Sequence, residues 1–415
     1  MPLSRRNLLS GVAFLGGAAL LRRARAEEIP PIPAPGTPPP KAVGYTPVVT
    51  PNVGTLPWRV AADGAKEFHL VAEPVKREFA KGMVVDTWGY NGSCPGPTIE
   101  VVEGDHVRIF VTNKLPERTS VHWHALLLPN GMDGVSGLNQ PHIAVGETYV
   151  YEFPIRGHGV KMYHPHSDEM VQMAMGMMGF LIIHPKVPPK AKVDRHFCVM
   201  LHEWAIAPGT SKPNPAVMTD FNIFTFNGRV WPGTDPLIVK EGERVSISLG
   251  NLSMDNHPIH LHGYIFELVG TDGGEIPKSA RWPETTVDVP VGGTRTVELV
   301  ADAPGDWAFH CHKSHHTMNA MGHDVPNMLG VDQKGVAGKV QKVLPGYMPM
   351  GQNGMGEMMD MGTPKNTLPM MSGKGPYGDI EMGGMFTVVK VREGLTSYDD
   401  PGWYKQPPGT TPRKI

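Results

Sequence analysis

The chain has 415 residues, a formal net charge of −2 and 19% charged residues. This length allows two or three domains of ordinary size, and the charge excludes the basic surface that nucleic-acid binding needs. With 49 glycines and 42 prolines the chain favours short strands and turns over long helices, and 3 cysteines are too few for a disulfide scaffold.

The N-terminus predicts export. An arginine pair at residues 5–6 precedes an apolar run that ends at Leu21, and residues 24–26 (Ala-Arg-Ala) suit cleavage. This pattern indicates a twin-arginine signal peptide over residues 1–26 and a periplasmic protein. Because the run is shorter than the roughly 18 apolar residues of a spanning helix, no stable membrane insertion is expected. Residues 27–57 are rich in proline, which predicts an extended linker without a core of its own.

Short alternating runs separated by turns predict a first β-sandwich over residues 58–187. Two His-x-His pairs occur in it, His122 with His124 and His164 with His166. Since residues i and i+2 of a strand point to one face, each pair presents two imidazoles together. One such pair is often ordinary polar structure at a sheet end, but two pairs in one domain indicate a metal site. The methionines that surround the second pair are expected to pack in the core rather than carry copper.

The strand pattern resumes over residues 188–335, which predicts a second sandwich that is closed by a strand at residues 382–391. A third pair, His260 with His262, lies in this second region. His257 precedes the pair by three residues, so its side chain can point elsewhere.

Cys311 stands between two histidines in a predicted strand, so His310 and His312 point away from the cysteine. A thiolate, imidazoles and a distant thioether form the ligand set of a blue-copper site. We assign that site to His257, Cys311, His316 and, as axial ligand, Met321. The four His-x-His pairs supply eight imidazoles, which exceed the four ligands of one zinc ion and fit several coppers. Half of them come from each sandwich, so a first domain must face a second, in one chain or across two.

Together, four stretches resemble the multicopper oxidases, the laccase-like family. They are His-Trp-His at 122–124, His-Pro-His at 164–166, residues 257–263, and the His-Cys-His stretch that ends at Met321. The resemblance covers about residues 80–325 and a final strand. It implies an all-β chain of two cupredoxin-like Greek-key β-sandwich domains, of the two-domain type with the type 1 copper in the second domain.

The resemblance also implies a role for each ligand and four coppers per functional unit. His122 and His260 would hold the type 2 copper, and the type 1 copper would use the Cys311 set. The binuclear type 3 pair would be held by His124, His164, His166, His262, His310 and His312. The implied reaction is one-electron oxidation of a small reducing substrate, Cu(I) or a phenol, coupled to four-electron reduction of dioxygen to water, with a possible role in copper tolerance.

Two departures from the usual family pattern matter. Most laccase-like proteins have three cupredoxin domains, and two-domain members resemble small laccases, so we expect a homotrimer with the cluster between subunits. Asp133 matches the family's proton-donating acid in the first domain and is a candidate catalytic residue beside Cys311. The acid of the second domain is missing, because Ser314 and His315 occupy its place.

Residues 336–381 form a glycine-rich and methionine-rich insertion after the type 1 ligands, followed by a C-terminal tail at 392–415. Thioethers prefer Cu(I), so this insertion is expected to bind copper and to cover the type 1 site. A low-complexity segment without function is the competing interpretation.

Two other functions fit parts of the pattern. A copper nitrite reductase also has two cupredoxin domains, but its type 1 cysteine lies in the first domain, where the only cysteine, Cys94, is far from the histidines. A periplasmic copper-sequestering protein would not need eight ordered histidines. Cys94 and Cys198 either pair in an oxidising compartment or remain as free buried thiols.

Overall fold

The computed structural model describes residues 31, 44–190, 192–319, 337–343, 365–369 and 373–415. The predicted signal peptide, Met321 and most of the methionine-rich insertion therefore lie outside the described residues. Strands dominate the described part, which confirms the all-β prediction. Neither of its two short helices is long and apolar enough to cross a bilayer.

The strands up to residue 184 are β1 (Val48–Val49), β2 (Trp58–Val60), β3 (Lys66–Ala80), β4 (Met83–Tyr90), β5 (Ile99–Val102), β6 (His106–Asn113), β7 (His122–His124), β8 (Thr148–Pro154), β9 (Gly159–His164) and β10 (Gly179–His184). The order β2-β3-β6-β8 forms one sheet, with β4 also paired to β3, and β5-β10-β9-β7 forms another. Residues of both sheets, such as Phe68 and Leu181, share one buried apolar cluster. Helix α1 (Glu169–Ala174) follows β9, and a 3-10 turn spans Asn130–Met132.

The later strands are β11 (Arg195–Trp204), β12 (Ile223–Phe226), β13 (Leu237–Lys240), β14 (Arg244–Asn251), β15 (His257–Leu261), β16 (Phe266–Thr271), β17 (Gly274–Glu275), β18 (Trp282–Glu284), β19 (Thr286–Val289), β20 (Thr294–Val300), β21 (Gly305–Cys311), β22 (Gly373–Gly375), β23 (Gly378–Ile380) and β24 (Phe386–Arg392). One sheet has the order β1-β11-β14-β20-β16-β17, with β12 on β11 and β18 on β16, and its partner sheet has the order β13-β24-β21-β15-β19. A second core, which includes Ile247 and Ile259, lies between them. Helix α2 (Ala337–Val343), the hairpin β22-β23, and 3-10 turns at Lys278–Ala280 and Ser314–Thr317 complete the described elements.

Strand β10 is buried on both faces and connects the two sandwiches. Leu181 and Ile183 face the first core. The alternate residues Phe180 and Ile182 pack in another cluster with Met200 of β11. Successive residues of a strand point to opposite faces, so a continuous apolar run serves two interfaces at once. Most of the methionines near the second histidine pair are buried in this part of the fold, as expected.

The segment expected to be an extended linker contributes to the packed structure at its C-terminal end. Val48 and Val49 pair in parallel with β11. Val48 and Leu56 are buried. The two valines are β-branched and can donate to a ladder, unlike the prolines around them, so they extend the sheet of the second sandwich.

All three cysteines are buried and free. Cys94 donates its thiol hydrogen to the carbonyl of Gly176, at 3.3 Å. Cys198 belongs to the apolar cluster between the sandwiches. Of the two alternatives from the sequence, the structure therefore shows free thiols and no pairing of Cys94 with Cys198.

Candidate metal centres

The register of β15 against β21 places metal-binding side chains on both faces of one sheet. Ile259 lies opposite Cys311, and His260 lies opposite His310. Because side chains alternate along a strand, Cys311 shares the core face with Ile259, while the two histidines share the other face. In the observed pairing, Cys311 and His310 therefore point in opposite directions, as predicted from the sequence.

Three of the four predicted type 1 ligands meet on the core face. Sγ of Cys311 lies 3.4 Å from Nδ1 of His316 and 3.9 Å from Nδ1 of His257. The two Nδ1 atoms are 3.0 Å apart. All three side chains are fully buried. The fourth predicted ligand, Met321, lies outside the described residues.

Burial sets the charge of these three groups. It lowers the pKa of His257 to about 3 and that of His316 to about 2, and it raises the pKa of the Cys311 thiol to about 12. The imidazoles are therefore neutral, with lone pairs available to a metal. A bound metal favours the thiolate, so loss of the thiol proton accompanies binding. One thiol and two neutral imidazoles within 4 Å fit a copper of the blue type.

Neighbouring side chains fix both imidazoles of this set. The Oγ of Ser253 lies 2.8 Å from Nε2 of His257, which leaves Nδ1 to face the cysteine. Phe224 stacks on His316, with 4.0 Å between ring centroids and 14° between ring planes. Such partners hold a ligand's orientation before the metal arrives.

The first sandwich gathers its own four histidines. His122 of β7 lies opposite His164 of β9. His124 and His166 complete the group, and all four line a cavity of about 260 Å³. Nδ1 of His124 is 3.3 Å from Nε2 of His164. His122, His124 and His164 each offer a ring nitrogen within 4.8 Å of the others, a spacing that one metal ion can bridge.

The second sandwich gathers the other four histidines, His260, His262, His310 and His312. Their ring centroids are between 4.7 and 5.7 Å apart in the described contacts. Nε2 of His262 lies 3.1 Å from Nε2 of His310. Two ring nitrogens this close need either a proton or a metal between them.

Backbone carbonyls select the metal-binding tautomer of four of these rings. In each ring the Nδ1–H group donates to a carbonyl, so Nε2 keeps its lone pair for a metal. The pairs are His122 with Asp133 at 2.7 Å, His164 with Pro165 at 3.0 Å, His260 with Thr285 at 2.7 Å and His310 with Cys311 at 2.8 Å.

No contact between the two groups of histidines is found among the described residues. Among the described residues, the ring contacts and hydrogen bonds join histidines within each group and never across the groups. The second sandwich borders the cavity of the first group with Leu252, Ser253, Val291 and Gly292 instead. We call the first group the first half-site and the second group the second half-site.

Asp133 lies beside the first half-site. Its Oδ1 is 3.6 Å from Nδ1 of His122, and its carbonyl accepts the hydrogen bond from the same ring. Gly134 makes this approach possible, because it has φ +94° and a Cβ at this position would lie 1.8 Å from the carbonyl oxygen of Val121. Only glycine tolerates both constraints without strain.

Sequence reasoning missed Glu169, which lines the same cavity. Its carboxylate oxygens lie 3.6 Å from Nδ1 of His164 and 3.4 Å from Nε2 of His166. The i, i+3 spacing between His166 and Glu169 at the start of a helix was the available signal. His315, which stands where the second-domain acid is missing, is exposed and packs edge-on against His316 at 4.3 Å between ring centroids.

Comparisons with known proteins identify the family of the chain. Residues 72–188 and 208–329 each match a family profile described as multicopper oxidase, and together they cover more than half of the chain. The chain is 45% identical over 115 residues to a copper resistance protein A homolog of Pseudomonas syringae pv. tomato, covering 28% of this chain and 19% of that protein. It is also 27% identical over 273 residues to a probable nitrite reductase-hydroxylamine oxidoreductase fusion protein of Kuenenia stuttgartiensis. That match covers 62% of this chain and 31% of the fusion protein.

The chain spans less than a third of the length of either curated relative. Among solved structures it is similar to the blue copper oxidase from Nitrosomonas europaea. The identity is 26%, the TM-score is 0.59, and the match covers 78% of this chain and 85% of that one. Both sandwiches match the same family, and the chain belongs to the multicopper oxidase family.

Proposed function

We propose that this protein oxidises a small reducing substrate one electron at a time and reduces dioxygen to water. One observation carries the proposal. Cys311 meets His257 and His316 on one face of β21, while its neighbour His310 joins a four-histidine group on the other face. A single strand thus joins an electron-accepting site to a cluster site through consecutive residues.

The assignment of ligands follows the family pattern. His257, Cys311 and His316, with Met321, would hold the type 1 copper, and the eight paired histidines would hold the type 2 and type 3 coppers. When bound, these coppers supply one-electron redox chemistry and dioxygen binding, which side chains alone lack. The chain's own contribution is to orient the imidazoles through backbone carbonyls and to place the Asp133 carboxylate 3.6 Å from His122 as a proton donor.

We propose further that each cluster forms between two chains of a homotrimer. No described contact joins the two half-sites of one chain, which supports a complete set of eight histidines made from the first sandwich of one subunit and the second sandwich of another. Such a head-to-tail contact closes into a ring, and the resemblance to small laccases implies three subunits. One exposed apolar side chain follows a histidine pair of each half-site in the sequence. Leu138, after His124, is 79% exposed, and Ile265, after His262, is 70% exposed.

The methionine-rich insertion supports Cu(I) as the reducing substrate, with phenols as the alternative. Asn319, before the insertion, contacts Pro369 within it and Gly384 after it, beside the type 1 site. Asn319, three residues after His316, donates to the carbonyl of Pro369 at 3.1 Å and accepts from the amide of Gly384 at 3.0 Å. Methionine thioethers bind Cu(I), so a methionine-rich segment linked to the chain near His316 supports Cu(I) as the substrate.

Export by the twin-arginine route to the periplasm remains part of this proposal, as does the division into domains at residues 58–187 and 188–335. A role in copper tolerance is proposed on the same basis. The nitrite reductase alternative requires a cysteine ligand in the first sandwich. Cys94 is the only cysteine there, and it is buried in a cluster with Trp204, away from the four histidines.

Oxygen consumption by the copper-loaded protein tests the proposal. We expect consumption with Cu(I), and a smaller rate with a phenol. Stoichiometric uptake of Cu(I) without oxygen consumption would identify a sequestering protein instead. Deleting residues 344–364 keeps the anchored ends and should lower the ratio of Cu(I) oxidation to phenol oxidation. An unchanged ratio would show that the insertion does not select the substrate.

A further inference from the structure

Helix α1 borders the cavity of the first half-site on its open side. Glu169 and Met173 of this helix line the cavity together with the four histidines. The side chains of Glu169 and His166 are 41% and 37% exposed, whereas the side chain of His164 is only 5% exposed. Solvent therefore reaches the histidines past helix α1, and His164 lies deeper than His166.

The two methionines of helix α1 differ from those that follow the helix. Met175, Met177 and Met178 are each at most 2% exposed. Met170 is instead 50% exposed, and Met173 is only partly buried at the edge of an apolar cluster. Core packing therefore accounts for the three later methionines but not for Met170.

The spacing of Met170 and Met173 places two thioethers side by side. Residues three apart are neighbours on one side of a helix, so an exposed sulfur lies next to one that borders the cavity. Thioethers select Cu(I), and imidazoles also bind copper. The carboxylate of Glu169 adds negative charge beside them, 3.4 Å from Nε2 of His166. Helix α1 thus presents soft donors that lead from solvent to the histidines.

We propose that Cu(I) enters the first half-site along Met170 and Met173. The ion passes from the exposed thioether to the one at the cavity and then to His166 by ligand exchange, with no change in oxidation state. The negative charge of Glu169 attracts the cation to this side of the cavity. This route supplies the resident coppers of the half-site and is separate from the type 1 site, where the substrate is oxidised. It rests on the proposed function only in taking copper as the metal that the histidines hold.

Copper loading of the apoprotein tests this route. Apoprotein is mixed without oxygen with Cu(I) held by bicinchoninate, and samples taken over time are cleared of loose copper with excess chelator and desalted. Metal analysis gives the copper per chain, and the blue band after exposure to oxygen gives the share in the type 1 site. The remainder is the copper held by the paired histidines. The same loading is repeated with Cu(II), which does not share the preference of Cu(I) for thioethers.

We expect the combined change of Met170→Leu and Met173→Leu to slow the filling of the paired histidines by Cu(I) at least about tenfold, the lower end of what losing a neighbour of a metal site costs in affinity. Leucine keeps the volume of methionine but has no sulfur donor. Loading with Cu(II) and the final copper content should be unchanged, which shows that the variant is folded. Met218→Leu is the matched control, because Met218 is 41% exposed but does not line the cavity.

Equal rates of Cu(I) loading in the double variant and the unaltered protein would overturn the inference. The same slowing in Met218→Leu, or with Cu(II), would also overturn it, because the thioethers of helix α1 would then have no specific part. If Met173→Leu disturbs the fold, Met170→Leu decides alone, since Met170 is half exposed. Selective slowing of Cu(I) loading in a protein that consumes no oxygen would reject the proposed oxidase function and support the loading route.

Discussion

His260 and His310 face each other across β15 and β21, one residue away from the opposed pair Ile259 and Cys311. This register separates a sulfur-containing site from an all-imidazole site by the thickness of one sheet. A shift of one residue in the pairing would exchange the two faces and mix the ligand sets. The position of both metal centres therefore depends on one strand pairing.

Replacement of Cys311 by serine should abolish the blue absorption and reduce the copper content by one ion per chain. Serine cannot supply the soft thiolate, but the eight paired histidines are unaffected. Visible absorption and metal analysis check this. Cys198→Ala removes another buried thiol and should keep the blue band, and retention of the band in Cys311→Ser would refute the type 1 assignment.

Gly134→Ala should destabilise the first half-site. The new Cβ would lie 1.8 Å from the carbonyl of Val121, in addition to the cost of φ +94°. Gly137→Ala is the control, because φ is +81° there but no described atom lies within 4 Å of the Cβ position. We expect Gly134→Ala to lower the free energy of unfolding by about 2 kcal/mol more than the control, and to lower copper content. If thermal unfolding shows that Gly134→Ala and Gly137→Ala lose the same free energy of unfolding, the close approach to Val121 is unimportant.

Asp133→Asn should slow oxygen consumption by about 10²- to 10⁴-fold, the usual contribution of a positioned proton donor. The variant keeps the shape of the side chain and the backbone carbonyl that holds His122. Stopped-flow bleaching of the blue band under anaerobic conditions should be unchanged, because that step uses only the type 1 site. Slower bleaching would place Asp133 in another role.

Leu138→Asp and Ile265→Asp should dissociate the oligomer. Each would bury a carboxylate against an apolar partner surface, at a cost of several kcal/mol. Sedimentation should show monomers that keep the blue band but consume no oxygen. Val60→Asp changes another exposed apolar residue, on β2, and should leave the assembly intact. An active monomer of either variant would contradict the interface.

Local pattern in the sequence was enough to predict much of this site. Because side chains alternate along a strand, the order His310, Cys311, His312 predicted that the cysteine and the two histidines lie on opposite faces of the sheet. In the structure Cys311 and His310 do lie on opposite faces. The expected linker was wrong near Val48, because pairing with β11 is a long-range event that proline content does not reveal. Glu169 was missed although it follows His166 by three residues, and its approach to His164 depends on how helix α1 packs against the end of β9.

The most direct test of the account is complementation between two inactive chains. One chain carries His164→Ala and lacks the first half-site, and the other carries His310→Ala and lacks the second. Copper-loaded subunits are mixed after dissociation and reassembled. If the cluster forms between subunits, random head-to-tail mixing restores about a quarter of the interfaces, and oxygen consumption returns to about that fraction. If mixed assemblies form but stay inactive, the cluster lies within one chain and the account is wrong.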